Sequence, residues 1–251
     1  MGIRLMNLFA RRAGLLLALT TALAAGARAA PPDIRQFTSD KIHTLRLDSQ
    51  IVYENRAQLE EIGGDFANFY RLQRGAKSLS LIYMQPGNLR FDANVLNAHI
   101  TYAISGNTRV TNIPFLHIHK VESIAGSPGK RTTLLDSGVV PPEQLTDYNA
   151  TYLRQEKGLL CFQLLSRMHS EPFKDLVWID PKTHITAQRY HYDRNGKLVA
   201  WYLYKNPALV APGVYFPTRV EVYSPKMKLA GVTVYKNIRV NPPVSPATFD
   251  V

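Results

Sequence analysis

Cysteine is almost absent from this sequence, which has one in 251 residues and therefore cannot form an intramolecular disulfide. That residue, Cys161, lies within the apolar run at 159–162. A cysteine nucleophile needs a neighbouring base and a polar setting, and the run offers neither. The pattern therefore predicts a buried, unreactive thiol.

Motifs for catalysis and for metal binding are also missing. No G-x-S-x-G, P-loop or H-E-x-x-H pattern occurs, and Glu60 and Glu61 are adjacent, so on a helix they would diverge. His117 and His119 would share one face of a strand, but no third ligand stands at a recognisable spacing. We interpret the pair as solvated, and we expect no enzymatic activity, no cofactor and no metal site.

Long apolar runs are missing beyond the first 29 residues. The N-terminus combines basic Arg4, Arg11 and Arg12 with an apolar run over 13–25 and a small-x-small triplet at 27–29. The run is shorter than the roughly 20 residues that span a bilayer. We therefore predict a cleaved signal peptide over 1–29, with a retained anchor as the alternative. The mature chain would be periplasmic or otherwise exported, and no cysteine follows the cleavage point to carry a lipid.

The mature chain, 30–251, carries 26 Lys and Arg against 19 Asp and Glu, and it shows neither a linker nor an internal repeat. We therefore predict a single domain over these residues. The positive balance favours anionic headgroups or acidic partners, with simple solubility as an equal alternative. Because the basic residues are scattered among strands, we expect no nucleic-acid partner.

Helical periodicity appears in two places. Between residues 40 and 62, apolar side chains recur at three- and four-residue intervals, a serine precedes them and two glycines follow. Leu47 and Ile51 lie off this stripe, so the helix could break near Asp48. A shorter helix is predicted over 141–147, because proline and an acid suit a first turn. The members of the longer stripe are Ile42, Leu45, Val52, Leu59 and Ile62.

Almost everything else has the pattern of short strands separated by turns that contain Gly, Pro, Asn or Asp. Sequential hairpins with one substantial helix predict a mainly β (α+β) chain whose antiparallel sheet wraps around that helix. The predicted strands cover 66–73, 77–85, 88–95, 99–104, 151–154, 159–165, 176–179, 185–192, 198–204, 218–223 and 232–240.

Three of these strands are apolar or aromatic on both faces, at 79–84, 177–179 and 199–204. A sheet with one solvated face would alternate apolar and polar residues. Apolar residues on both faces indicate either that both are covered or that one lines an apolar cavity. For any single residue, ordinary core burial is the default interpretation.

Four segments, in this order, resemble the outer-membrane lipoprotein-sorting (LolA-like) family. They are a strand, proline turn and strand at 81–92, a strand and turn at 177–183, a segment at 215–221 and a closing strand at 235–241. The resemblance implies an incomplete, strongly curved antiparallel β-barrel with helices covering its concave side. It also implies a monomeric, non-catalytic carrier that holds lipid or lipoprotein acyl chains in an apolar cavity and exchanges them with membrane-associated donor or acceptor proteins.

Alternation along the aromatic strands selects the face expected to line that cavity. The expected cavity residues are Leu81, Tyr83, Leu89, Phe91, Tyr102, Ile104, Trp178, Tyr190, Trp201 and Leu203. The apolar stripe of the longer helix (Ile42, Leu45, Val52, Leu59 and Ile62) is the expected lid.

The sequence departs from the family pattern in two ways. Gln85 precedes the turn proline where the family has an arginine that contacts the lid, and the chain is longer between Pro114 and Tyr148. A member with a different cargo fits these departures. An envelope sensing or regulatory module, which binds a protein partner and uses lipid as a signal, is the alternative function.

Overall fold

Thirteen strands of the described chain pair into one antiparallel sheet. The computed structural model describes residues 30–74, 76–95, 98–127, 131–167 and 173–250, so the predicted signal peptide lies outside the described residues. The strands are β1 Thr44–Glu54, β2 Ala76–Met84, β3 Asn88–Val95, β4 Ala98–Ser105, β5 Thr108–Ile113, β6 Ile118–Ser123, β7 Tyr148–Glu156, β8 Leu159–Ser166, β9 Lys174–Ile179, β10 Thr186–Tyr192, β11 Leu198–Ala211, β12 Val214–Tyr223 and β13 Leu229–Val240.

The strands run in two series of hairpins, β1 to β6 and β7 to β13, and the series meet where β1 pairs with β13. The end strands are β6 and β7, and among the described residues they do not pair with each other. The predicted fold class, a mainly β chain with an incomplete, curved antiparallel barrel, is confirmed.

Two α-helices lie between β1 and β2, α1 Arg56–Ile62 and α2 Gly64–Arg74. Asn55 caps α1 by accepting a hydrogen bond from the Gln58 N–H, and the chain turns at Gly63 before α2 begins. Shorter 3₁₀ turns occupy Ile34–Phe37, Pro114–Leu116, Leu134–Ser137, Pro142–Thr146 and Pro246–Phe249.

The predicted helix over 40–62 is wrong for most of its length, since Thr44–Glu54 is the central strand β1. Leu45 and Leu47 are both buried, which is the two-residue period of a strand. The apolar residues at three- and four-residue intervals did not indicate a helix here. Leu47, which lies outside that spacing, indicated the strand. Only α1 and its stop at Gly63 follow the prediction.

The predicted strand over 66–73 is also wrong, because these residues lie in α2. Phe66 and Tyr70 are four residues apart, so they share one helix face, which packs on the sheet. The close packing depends on Gly231 of β13, where an added Cβ would lie 2.3 Å from Cε1 of Tyr70. Two strands missing from the prediction, β5 and β6, complete the first series.

The long connection between the end strands crosses the concave side of the sheet. We call residues 131–147 the crossover segment. It contains the turns Leu134–Ser137 and Pro142–Thr146, so the short helix predicted at 141–147 is confirmed as a 3₁₀ turn. Leu134, Leu135, Val139 and Val140 are buried, and Val139 forms a bridge with Ile185.

Gly138 lets the crossover segment lie directly on the sheet. Its φ of +95° is in the left-handed region, and a Cβ there would lie 2.6 Å from Cδ1 of Tyr204 and 2.8 Å from Cγ of Pro217. Its carbonyl accepts from the Thr186 N–H at 2.9 Å. A larger residue would both strain the backbone and push the segment off β11 and β12.

Candidate functional site

A cavity of about 610 Å³ lies between the concave face of the sheet, the α1–α2 junction and the crossover segment. Its wall takes residues from both hairpin series, which shows that the sheet curves around it. The apolar part of the wall comprises Ile62, Phe66, Tyr70, Leu81, Phe91, Tyr102, Phe173, Val199, Val220 and Val222.

Strand register aligns the apolar wall. Leu81 is paired with Phe91 and Phe91 with Tyr102, so the three side chains form a row across β2, β3 and β4. The rings of Phe91 and Tyr102 lie 6.0 Å apart. On the helical side, the rings of Phe66 and Tyr70 lie 5.2 Å apart, and burial raises the pKa of Tyr70 to about 12.

The crossover segment provides a polar part of the wall. Thr133 caps its first turn, accepting from the Leu135 N–H, while Asp136 accepts from the Thr133 N–H at 3.0 Å. Next to it, Tyr102 and Thr132 share a hydrogen bond of 3.3 Å between their hydroxyls. The segment contributes Arg131, Thr132, Thr133, Asp136, Ser137 and Gln144 to the cavity.

An ion cluster joins this segment to β9 and β10. We call Asp136, Asp175, Arg189 and His191 the interior cluster. Arg189 donates from Nε and Nη2 to Asp175 at 2.9 and 3.2 Å and from Nη1 to Asp136 at 2.8 Å. Nδ1 of His191 lies 2.8 Å from Oδ1 of Asp175. The guanidinium also faces the ring of Tyr202, with 5.3 Å between Cζ and the ring centroid.

Burial and charge oppose each other in the interior cluster. Desolvation disfavours the charge of the fully buried Asp175, but Arg189 and the hydrogen-bonded His191 outweigh it and hold the pKa of Asp175 below its ordinary 3.8. In the same way, the carboxylates outweigh the desolvation of Arg189 and raise the pKa of its guanidinium. Burial also raises the pKa of the neighbouring Tyr148 and Tyr202, so their phenols stay neutral.

A second cavity of about 240 Å³ adjoins the first behind the crossover segment. Tyr83 and Leu89 contribute to its wall, and the Tyr83 hydroxyl donates to Oε1 of Glu143 at 2.5 Å. Gln85, which takes the place of the family's arginine, contacts Nδ1 of His43 through Oε1 at 3.2 Å. At this position the chain therefore fastens the start of β1.

The structure divides the ten expected cavity residues into four groups. Leu81, Phe91 and Tyr102 line the main cavity, and Tyr83 and Leu89 line the smaller one. Ile104 is fully buried in the core and lines neither cavity. The other four, all from the second hairpin series, lie on the opposite face: Trp178, Tyr190, Trp201 and Leu203.

The face expected for β9, β10 and β11 was wrong by one residue. Pairing joins Tyr190 to Trp201 on one face, and Arg189 to Tyr202 on the other face, which lines the cavity. Because β11 is apolar on both faces, alternation offered no contrast from which to choose. The polar Arg189 and His191, two residues apart on β10, were the missed signal of the inner face.

Trp178, Tyr190, Trp201 and Tyr223 form an aromatic row on the outer face. Ring centroids are 5.3 Å apart between Trp178 and Tyr190, 5.7 Å between Tyr190 and Trp201, and 4.5 Å between Trp201 and Tyr223. Cζ of Arg154 lies 5.8 Å from the centroid of the Trp178 ring. These aromatic contacts stabilise the sheet from outside the cavity.

Three of the five expected lid residues do not lie on a helix. Ile42 precedes β1, Leu45 is a buried residue of β1, and Val52 is an exposed residue of the same strand. Leu59 lies in α1 but is buried in the core with Tyr70 and Ala200. Ile62, at the end of α1, lines the cavity.

The remaining sequence features have plain structural roles. Cys161 is a free, buried thiol, as predicted, and desolvation raises its pKa. Across the described ranges, no group of three or more His, Cys, Asp or Glu side chains is arranged to hold a metal ion. Within the same ranges, no helix combines the length and hydropathy needed to cross a membrane.

Comparison with known proteins gives matches in structure only. No protein-family model matches the sequence, and a search of curated proteins finds no significant match. A LolA superfamily protein from Nitrosomonas europaea aligns with a TM-score of 0.58 and 13% identity, over 86% of this chain and 93% of that one. A domain from Vibrio parahaemolyticus, assigned as an outer membrane lipoprotein-sorting protein, aligns with a TM-score of 0.52 and 12% identity, over 86% and 93%. At these identities the likeness shows the fold, and the chain has the LolA-like fold that its motifs predicted.

Proposed function

We propose that this chain is an exported, non-catalytic carrier that holds lipid or lipoprotein acyl chains in the main cavity. The main support for this proposal is the cavity of about 610 Å³ on the concave side of the sheet, which has a row of apolar side chains along one wall. Ligand pockets have volumes of roughly 300–1,000 Å³, and each buried CH₂ contributes about 0.8 kcal/mol. An acyl chain fits both the size and the apolar wall.

The α1–α2 junction is the proposed gate of this cavity. Ile62, Gly63 and Phe66 line the void, and a glycine between two short helices can change its backbone angles at low energetic cost. This gate replaces the lid expected from the stripe over 40–62, because Leu45 belongs to the sheet and Leu59 to the core.

A cavity-filling substitution tests the carrier function. Ser49 of β1 lines the cavity, whereas its neighbour Gln50 is exposed on the other face of the same strand. Native mass spectrometry with lipid extraction, on protein purified from its own envelope, should detect bound lipid in the wild type and in Gln50→Trp. Ser49→Trp should lose it. A lipid-free wild type, or lipid retained equally by both variants, would contradict the proposal.

Export is a separate part of the proposal and has its own test. The basic region, short apolar run and small-x-small triplet at the N-terminus support cleavage after Ala29. N-terminal sequencing of the exported protein should begin at Ala30. An intact N-terminus in the membrane fraction would contradict export as a soluble carrier.

A further inference from the structure

The interior cluster gives the cavity a polar wall in which carboxylates outnumber the guanidinium that they bind. Two carboxylates, Asp136 and Asp175, surround one guanidinium. Each nitrogen of Arg189 that can donate from the end of the side chain already binds one of these carboxylates. Three of the five N–H groups of the guanidinium therefore already bind carboxylates, which also offset the positive charge that would attract an anionic ligand.

The groups that the cluster presents to the void accept hydrogen bonds. The side chain of Asp136 is 41% exposed and that of His191 is 25% exposed, while Asp175 is fully buried behind them. The carboxylate of Asp136 accepts from Arg189 and Thr133, which leaves further lone pairs. His191 directs Nδ1 at Asp175, so in the neutral ring Nε2 is an acceptor.

The other arginines of the wall are engaged elsewhere. Arg109 binds Glu122 at 2.9 Å, and Arg131 donates to the carbonyl of Gly106 at 2.9 Å and to Asn107 at 3.0 Å. A purely apolar chain placed against Asp136 would remove water from a charged carboxylate without replacing its hydrogen bonds, which is unfavourable. The wall therefore requires a polar partner from the ligand.

Building on the proposed carrier function, we propose that the ligand is a single-chain amphiphile with a head group that donates hydrogen bonds to Asp136 and His191. A hydroxyl or an amine placed against Asp136 satisfies this requirement, and an anionic carboxylate at the same place does not, because Asp136 repels it. The chain then lies along Phe66, Leu81 and Phe91. A volume of about 610 Å³ accommodates one such molecule.

Three amphiphiles with the same chain test the head-group preference. Dodecanol, dodecylamine and dodecanoate are titrated into the mature protein by calorimetry, dodecanol below its solubility limit and the other two below their critical micelle concentrations. Dodecanol and dodecylamine should bind roughly tenfold or more tightly than dodecanoate. Equal affinities, or tightest binding of dodecanoate, overturn the head-group assignment but leave the carrier function in place. Failure of all three to bind overturns the carrier function itself.

A matched pair of variants locates the preference. Asp136→Asn removes the negative charge from the wall and should bring dodecanoate to within about threefold of dodecanol. The control is Asp92→Asn, which alters a carboxylate paired with Arg90 on the outer face of the sheet. It should leave the difference between dodecanol and dodecanoate at roughly tenfold or more. A difference of roughly tenfold or more in a folded Asp136→Asn variant, as judged by circular dichroism, overturns the role of Asp136. The wild-type ranking remains an independent test if that variant does not fold.

Discussion

The same three residue types meet on both faces of the sheet. On the inner face Arg189, Asp175 and His191 belong to the interior cluster, and on the outer face Arg90, Asp92 and His99 form what we call the outer cluster. Arg90 donates to Asp92 at 2.7 Å, and Nε2 of His99 lies 2.9 Å from it. The lengths of the ion pairs are similar. Their surroundings are not, since Asp175 is fully buried while His99 is half exposed.

The two clusters fasten different parts of the chain. Desolvation opposes the charge on both Asp92 and Asp175, yet their partners hold both pKa values below the ordinary 3.8. The outer cluster fastens the C-terminal segment, because Arg90 also donates to the carbonyl of Thr248 at 2.7 Å. The interior cluster instead fastens the crossover segment through Asp136 and forms part of the cavity wall. The outer cluster holds a chain segment near the surface, whereas the interior cluster is a charged part of the cavity wall.

Removing the arginine from each cluster should give the largest contrast. Arg189→Met leaves Asp175 buried without its cation, so we expect a loss of about 3–5 kcal/mol in the free energy of unfolding. Arg90→Met breaks a partly exposed pair and one hydrogen bond, and roughly 1–2 kcal/mol should be lost. Urea unfolding followed by circular dichroism measures both. Equal losses would show that burial does not distinguish the clusters.

A methyl group at the crossover segment should have the next largest effect. Gly138→Ala requires the left-handed conformation of alanine and collides with Tyr204 and Pro217, so roughly 2–4 kcal/mol should be lost. Gly106 is also left-handed, but open space surrounds it, and Gly106→Ala should lose about 1 kcal/mol. Thermal melts of the two variants compare them. Similar melting temperatures would mean that the segment can move off the sheet at little cost.

An acid titration tests Glu221, a buried carboxylate on the outer face. Lys205, Arg219 and Tyr223 donate to Glu221, and these bonds outweigh desolvation and lower its pKa to about 2. A depressed pKa stabilises the fold above the ordinary pKa of 4.5, and the contribution is lost as the pH falls towards about 2. Glu221→Gln should therefore lose roughly 1–3 kcal/mol at neutral pH and progressively less in acid.

Urea unfolding of the wild type and Glu221→Gln at a series of pH values gives this difference directly. A gap in the free energy of unfolding that stays constant from neutral pH to about pH 2 would contradict the assignment of the low pKa to Glu221.

Ligand binding should have its smallest effect on the tryptophan fluorescence of the wild type, for which we expect no change in emission. Trp178 and Trp201 both belong to the aromatic row on the outer face, so a ligand in the cavity should leave their emission unchanged. Tyr202→Trp places a reporter on the inner face of the same strand. Its emission should shift on addition of dodecanol. A shift in the wild type would contradict the assignment of the two faces.

Turn chemistry explains why the fold could be predicted and the inner face of the second series could not. The turn at Asp193–Gly196 formed as expected, with Asp193 accepting from the N–H groups of Asn195 and Lys197. Local turn signals of this kind predict individual hairpins, and a series of such hairpins predicts an antiparallel meander. They carry no information on which face is inside when both are apolar.

One further error and one omission had the same origin, contacts between residues that are distant in the sequence. Residues 44–54 match a helical stripe by spacing, yet the chain there pairs with β2 and β13 and alternates in burial. Asp136 lies 53 residues from Arg189, so no spacing in the sequence could unite them. The signal available was Arg189 and His191 at i and i+2, alternating with Tyr190 and Tyr192 on β10.

The pairing of β1 with β13 joins the first and last strands of the described residues near the middle of the sheet. Leu45 meets Val240, a contact between residues almost the whole chain apart, and such closures are slow because a long loop must be ordered first. The last strand also supplies Thr233 and Tyr235 to the cavity wall. An emerging chain can therefore build its hairpins in order, but it has no complete cavity until its final strand arrives.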